Sequence, residues 1–255
     1  MATMMTIGEH VVAIRRAAQL LGREVQQAGE EAPVPSCPGW DARALLAHIV
    51  MVHDWAGSHV RGEGGTYSRS QTELRSSGDD LFELFDYGVT RLVDALLDAP
   101  DDLDAMVFLK DAPRPRAFWA RRQAHETTIH SIDALAARLG RLPSTAEAQL
   151  PRELALDGID ELLMGFVPRG KSRWHVERPF TLSVCPSDSD RRWRLQIDAE
   201  RVSSSEMDSA DSDARFSGTA AALYLGLWNR GAELVEEGSV PALEMWRTEQ
   251  RVRWS

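Results

Sequence analysis

The sequence predicts a helical bundle in its N-terminal half followed by a smaller α+β domain. Three observations carry that reading. Apolar residues recur at steps of three and four through the first half, and after Pro168 the period switches to two. Between the two regimes runs a stretch rich in Pro, Ser, Thr and Ala, residues 141–151, which serves as a linker. We therefore expect domains at residues 1–142 and 143–255. The 255 residues, 43% of them hydrophobic, suffice for a core in each.

Taken in order, Val11, Val12, Ile14, Ala18, Leu20 and Leu21 suit a first amphipathic helix. The stretch Val34-Pro35-Ser36-Cys37-Pro38-Gly39-Trp40, with its prolines and glycine, breaks it. Asp41 then reads as the N-cap of a second helix, whose stripe Ala44, Leu45, His48, Val52, Trp55 and Ala56 places His48 on the core-facing side. Residues 62–70 are small, polar and glycine-rich, a loop. Ser77 and Asp80 resemble a capping box opening a third helix, with Leu81, Leu84, Phe85, Leu92, Val93 and Leu96 on its apolar face. Pro113 and Pro115 lead into a fourth helix, from about residue 117 to Leu139, with Gly140 as its C-cap. A further helix is expected over residues 152–166. Phe180-Thr181-Leu182-Ser183-Val184 and Trp193-Arg194-Leu195-Gln196-Ile197 alternate as strands do. Residues 203–213 read as a loop, Ser217-Gly218-Thr219 as the start of an apolar helix, and residues 240–250 as a last one. No internal repeat is visible.

Composition excludes several function classes. A formal charge of -10, from 39 acidic and 29 basic residues, provides no basic footprint for nucleic acid. No apolar run approaches the roughly 20 residues that span a bilayer, and the first residues lack the hydrophobic region of a signal peptide, so the expected location is the cytoplasm. Cys37 and Cys185 are far apart and in unlike contexts, which suggests two free thiols. Lys occurs only at Lys110 and Lys171, which we read as codon bias.

On the fourth helix, Glu126 and His130 stand one turn apart on one face and could share a metal ion. Spacing alone leaves two readings, a surface Glu/His pair or part of a metal site. His48, a second imidazole facing inward from a neighbouring helix, supports the site. Two His and one Glu would leave zinc an open position, as catalytic sites do. Asp133, one turn past His130, could hold a ligand imidazole by a hydrogen bond or be an ordinary surface aspartate. His125 and His53 lie off that face and read as structural or exposed; His10, His59 and His175 show no partner pattern. Cys37, just before a helix N-terminus, could be a dipole-stabilised thiolate or a packed thiol. The Gly62-Glu63-Gly64-Gly65 loop lacks a phosphate loop's Lys-Ser/Thr, and neither a Gly-x-Ser-x-Gly elbow nor a Cys-x-x-Cys pair is present.

These motifs together resemble the mycothiol-dependent maleylpyruvate isomerase family. The matching residues are Val34 to Trp40 with Leu45-Leu46-Ala47-His48, Ala124-His125-Glu126 with His130, and Asp133-Ala134. Phe216-Ser217-Gly218-Thr219-Ala220-Ala221 and Leu227-Trp228-Asn229-Arg230 resemble the family's C-terminal domain. The resemblance implies a DinB-like four-helix bundle with zinc on His48, Glu126 and His130, and an α+β domain similar to sterol-carrier folds. It further implies that the thiol of mycothiol binds zinc as thiolate, adds to the cis double bond of an activated enoyl acid, allows rotation, and leaves; an S-transferase would keep it attached. Arg230 is the arginine the C-terminal domain would supply to a carboxylate substrate, with Arg215 as runner-up. Two other readings stand beside this enzyme: a metal-binding sensing module without chemistry, and a zinc hydrolase that activates water. Residues 61–111 match nothing in the family, so the substrate is left open, as is the oligomeric state.

Overall fold

A computed structural model of the chain describes residues 5–109, 112–169, 176, 178–206 and 212–250. Lys110, Lys171, His175 and the middle of the 203–213 stretch lie outside the described residues. The chain divides into two units, one drawn from residues 3–108 and 112–143, the other chiefly from residues 144–255.

The first unit is helical: α1 (Ile7–Ala28), α2 (Ala42–Val60), a short α3 (Gln71–Ser76), α4 (Leu81–Asp98) and α5 (Pro115–Leu139). Local chemistry sets the boundaries. Thr6 and Glu9 form a capping box at α1, and Asp41 accepts from Ala44 N at the start of α2. Gly140 closes α5 in the left-handed region at φ 68°. Leu21 and Val25 of α1, Leu45 and Ile49 of α2, Leu81 and Phe85 of α4 and Ala134 of α5 share one buried cluster. Burial of such a side chain contributes roughly 1.5–3 kcal/mol. The capping-box expectation at residue 77 needs correction. Asp80 itself caps α4, accepting from Phe82 N and Glu83 N, while Ser77 terminates α3. The real box is Ser70 with Glu73, and α3 occupies residues left unassigned between the expected loop and the expected third helix. Arg43 of α2 secures α3 by donating to the carbonyls of Arg75 at 2.9 Å and Ser77 at 2.8 Å.

The second unit begins with α6 (Thr145–Ala148) and α7 (Arg152–Asp160), which runs on through a π-helical turn, Glu161–Phe166. A five-stranded sheet follows, with order β3-β2-β1-β4-β5: β1 (Phe180–Pro186), β2 (Trp193–Ile197), β3 (Val202–Glu206), β4 (Ala214–Gly218) and β5 (Val235–Gly238). β1 and β4 are parallel and the other pairs antiparallel. α8 (Ala220–Leu227) starts at a Thr219 cap, and α9 (Ala242–Glu249) is anchored by Trp246, whose indole donates to Leu227 O at 2.8 Å. Only β1 and β2 were expected; β3, β4 and β5 are additions, β3 taking up the start of the expected 203–213 loop and β4 following directly after it, into the residues expected to open α8. Among the described residues no helix is long and apolar enough to cross a membrane.

Candidate metal centre

His48 of α2 and Glu126 and His130 of α5 meet in the interior of the helical unit, all three buried. Their ligand atoms lie within 4.8 Å of one another. His48 Nε2 and His130 Nε2 each stand 3.3 Å from the same oxygen, Glu126 Oε1. Two ligands on a tetrahedral ion with bonds of about 2.0–2.1 Å are separated by about 3.3–3.4 Å, so the donor set and its spacing fit zinc.

At Glu126 and His48 the electrostatics suit a cation. Burial opposes the charge on Glu126, but hydrogen bonds from His130 and His48 and the charges of His130 and Arg122 outweigh it and hold the carboxyl well below its usual range. Arg122, one turn earlier on α5, donates from Nη2 to the other oxygen at 3.1 Å. Burial also lowers His48, more than its bond to Glu126 raises it, and so favours the neutral imidazole that a metal needs. His130 behaves oppositely: burial pushes it down, yet the hydrogen bonds to Asp133 and Glu126 win and raise it to about 9.

The loop between α1 and α2 supplies the surroundings. Val34 N donates to Trp40 O and Trp40 N to Cys37 O, each at 3.0 Å, closing a tight turn through Gly39 at φ 90°. Residues 36, 37 and 40 are thereby carried to α5. Ser36 Oγ donates to Asp133 Oδ1, and Cys37 Sγ donates to Asp133 Oδ2 at 3.3 Å. His130 Nδ1 donates to the same Oδ2 at 2.9 Å, which leaves Nε2 directed at Glu126. Trp40 packs its ring 5.0 Å from that of His48 and lies nearly parallel to that of His130 at 6.1 Å.

The remaining candidates fall elsewhere. His53 is buried in the bundle, with Nε2 3.0 Å from Thr127 Oγ1. His10 and His125 are buried too, their rings 6.4 Å apart. Both cysteines are free thiols; Cys37 bonds the Asp133 carboxylate. Arg230, in the second unit, donates to Trp228 O at 2.8 Å, and Arg215 on β4 stands 3.7 Å from Glu237. Sequence reasoning missed Arg122, Ser36 and Trp40 as parts of the centre. Arg122 had a signal, its four-residue spacing from Glu126. Ser36 had none, because it bonds a residue 97 positions away.

The family model for the mycothiol maleylpyruvate isomerase N-terminal domain matches residues 11–135, and that for the MDMPI C-terminal domain matches residues 153–244. No curated protein matches the chain. Among solved structures, the crystal structure of the mycothiol-dependent maleylpyruvate isomerase aligns at a TM-score of 0.63 and 18% identity, over 94% of this chain and 98% of that one. A histidine-to-alanine mutant of that enzyme aligns with the same values. At this identity the likeness establishes the fold.

Proposed function

The chain belongs to the mycothiol maleylpyruvate isomerase family, and from that premise we propose that it is a cytoplasmic zinc enzyme that uses mycothiol to isomerise an electrophilic enoyl carboxylate. The observation that carries the reading is the convergence of His48, Glu126 and His130, two imidazole nitrogens each 3.3 Å from one carboxylate oxygen in a buried site. Zinc bound there would lower the pKa of a thiol held at its open position and so provide a thiolate nucleophile at neutral pH. The residues of the chain do the rest. Asp133 fixes the His130 tautomer, Arg122 orients Glu126 by donating to its second oxygen, and Trp40 packs over the two imidazoles and shields them from water. Arg230, itself oriented by the Trp228 carbonyl, is the proposed partner of the substrate carboxylate, which its planar fork suits. The two-domain division at residue 142 belongs to the same proposal, with the metal ligands before it and Arg230 after it.

Elemental analysis tests the centre. The purified protein should carry about one zinc per chain, and His48→Ala, Glu126→Ala and His130→Ala should each strip it. Full occupancy in all three variants would place the metal elsewhere.

A further inference from the structure

We propose that the second unit carries a binding site of its own for a small molecule bearing phosphate or carboxylate groups, in the crevice at the carboxyl ends of β1 and β4. The inference is independent of the zinc reading. It begins with topology. β1 and β4 lie side by side and parallel, but the chain leaves β1 for β2 on one side and leaves β4, through α8, for β5 on the other. Parallel neighbours whose onward connections part in this way open a crevice at their carboxyl ends, the position ligands take in open, mostly parallel α/β sheets; here β1 and β4 are the one parallel pair among the described strands.

A cavity of about 620 Å³ occupies that place, bounded by Cys185 and Pro186 at the end of β1 and Ser217 at the end of β4. Its volume is in the range of small-molecule pockets. Four arginines line it, Arg152, Arg191, Arg192 and Arg215, in a chain whose formal charge is -10. Two of them are committed. Arg191 donates to Asp160 at 2.8 Å and to Glu206 at 2.7 Å, and lies over the Trp193 ring. Arg152 pairs with Glu153 and donates to the Asp188 carbonyl at 3.1 Å.

The other two keep donors in reserve. Arg192 donates from Nη1 to the Asp190 carbonyl at 3.0 Å and has no carboxylate partner among the described residues. Arg215 has Glu237 at 3.7 Å, beyond hydrogen-bonding distance, and its Nε is buried without an acceptor among the described residues. Of the two acids in the lining, Asp188 accepts from Ala220 N through Oδ1 at 2.8 Å, where the N-terminus of α8 offsets its charge. What the crevice offers a ligand is therefore two guanidinium forks and the hydroxyls of Ser187, Ser189 and Ser217, with the exposed carboxylate of Asp190 as the opposing charge in the lining. Such a set matches the oxygens of phosphate or carboxylate groups.

Isothermal titration of the full chain, freed of metal by a chelator and held at constant ionic strength, tests the site with inorganic phosphate, pyrophosphate and succinate. Saturable one-site binding of at least one of these is expected, and which anion binds tightest assigns the acid class. Arg192→Ala and Arg215→Ala should each weaken it at least tenfold. Arg201→Ala, an exposed arginine on the turn between β2 and β3, should change nothing, and His48→Ala should bind as the parent does. If an arginine variant fails to fold, amide shifts on titrating the unsubstituted protein should concentrate at residues 185–192 and 215–220. Absence of saturable binding, unchanged binding in both arginine variants, shifts elsewhere, or loss of binding in His48→Ala would overturn the proposal.

Discussion

At the scale of single residues, shared acceptors hold the candidate centre together: Asp133 Oδ2 accepts from both Cys37 and His130, and Glu126 Oε1 faces both imidazoles. His130 is bonded at both ring nitrogens, to Asp133 through Nδ1 at 2.9 Å and toward Glu126 through Nε2 at 3.3 Å. Asp133→Ala frees the ring to rotate and to change tautomer, and should lower zinc affinity by ~10 to 100-fold in competition with a chelating dye; unchanged affinity would make Asp133 a packing residue. His53 illustrates the opposite role. Thr127 Oγ1 donates its proton to Gln123 O at 2.7 Å, so it must accept from His53 Nε2–H at 3.0 Å, and the ring is neutral. Burial lowers its pKa to about 3. The unfolded chain takes up that proton near the ordinary value of about 6.5, so between the two values the unfolded state holds more protons and stability rises with pH. Lowering the pH from 7 to 5 should cost about 2 kcal/mol through this residue, and His53→Gln should remove that share in urea unfolding at both pH values. An equal pH dependence in the variant would contradict the assignment. The convergence of the three candidate ligands was legible because a helix states its own geometry: four-residue spacing puts Glu126 and His130 on one face, and the apolar stripe of α2 turns His48 inward. Ser36 and Trp40 were not, since only tertiary folding brings their loop to α5.

At the scale of elements, that loop leads from α1 into the ligand helix α2 and is bonded to the other ligand helix, α5, through Asp133. Its turn requires Gly39 at φ 90°, and an added Cβ would meet nothing within 4 Å, so the penalty for a side chain is purely one of backbone conformation. Gly39→Ala should cost about 1–2 kcal/mol in urea unfolding and weaken metal binding with it. Gly78→Ala, also in open space but outside the left-handed region, should be neutral or slightly stabilising; equal losses at both positions would show that the turn carries no special constraint. The capped helices were readable from the chain because Thr6, Asp41 and Gly140 are local signals. The edge strands were not. β3 buries only Val202 and β5 buries none of its residues, so neither needs an alternating apolar pattern, and their order comes from backbone pairing with β2 and β4. β4 has the alternation Ala214, Arg215, Phe216, Ser217, but Phe216 is its one large apolar residue and its last two residues read as the start of the next helix.

At the scale of the whole molecule, the helical unit has its own core and its own candidate metal ligands, so a chain truncated after Leu142 should remain folded by circular dichroism and bind zinc, yet turn over no substrate because the whole second unit, with the proposed Arg230, is gone. An unfolded fragment would refute the division at that point. The central claim, that a low-molecular-weight thiol enters the metal's open position, is tested most directly with cobalt in place of zinc. Neither cysteine of the chain is among the three proposed ligands, and Cys37 is engaged with Asp133. The cobalt protein alone should therefore lack a sulfur-to-metal charge-transfer band. Mycothiol should produce that band, more strongly as pH rises until the bound thiol is fully ionised, because binding releases its proton, and Arg230→Ala should leave the band intact while weakening turnover of a carboxylate substrate. No band at saturating mycothiol, in protein shown to hold cobalt at His48, Glu126 and His130, would contradict the account and favour a centre that activates water or only senses metal.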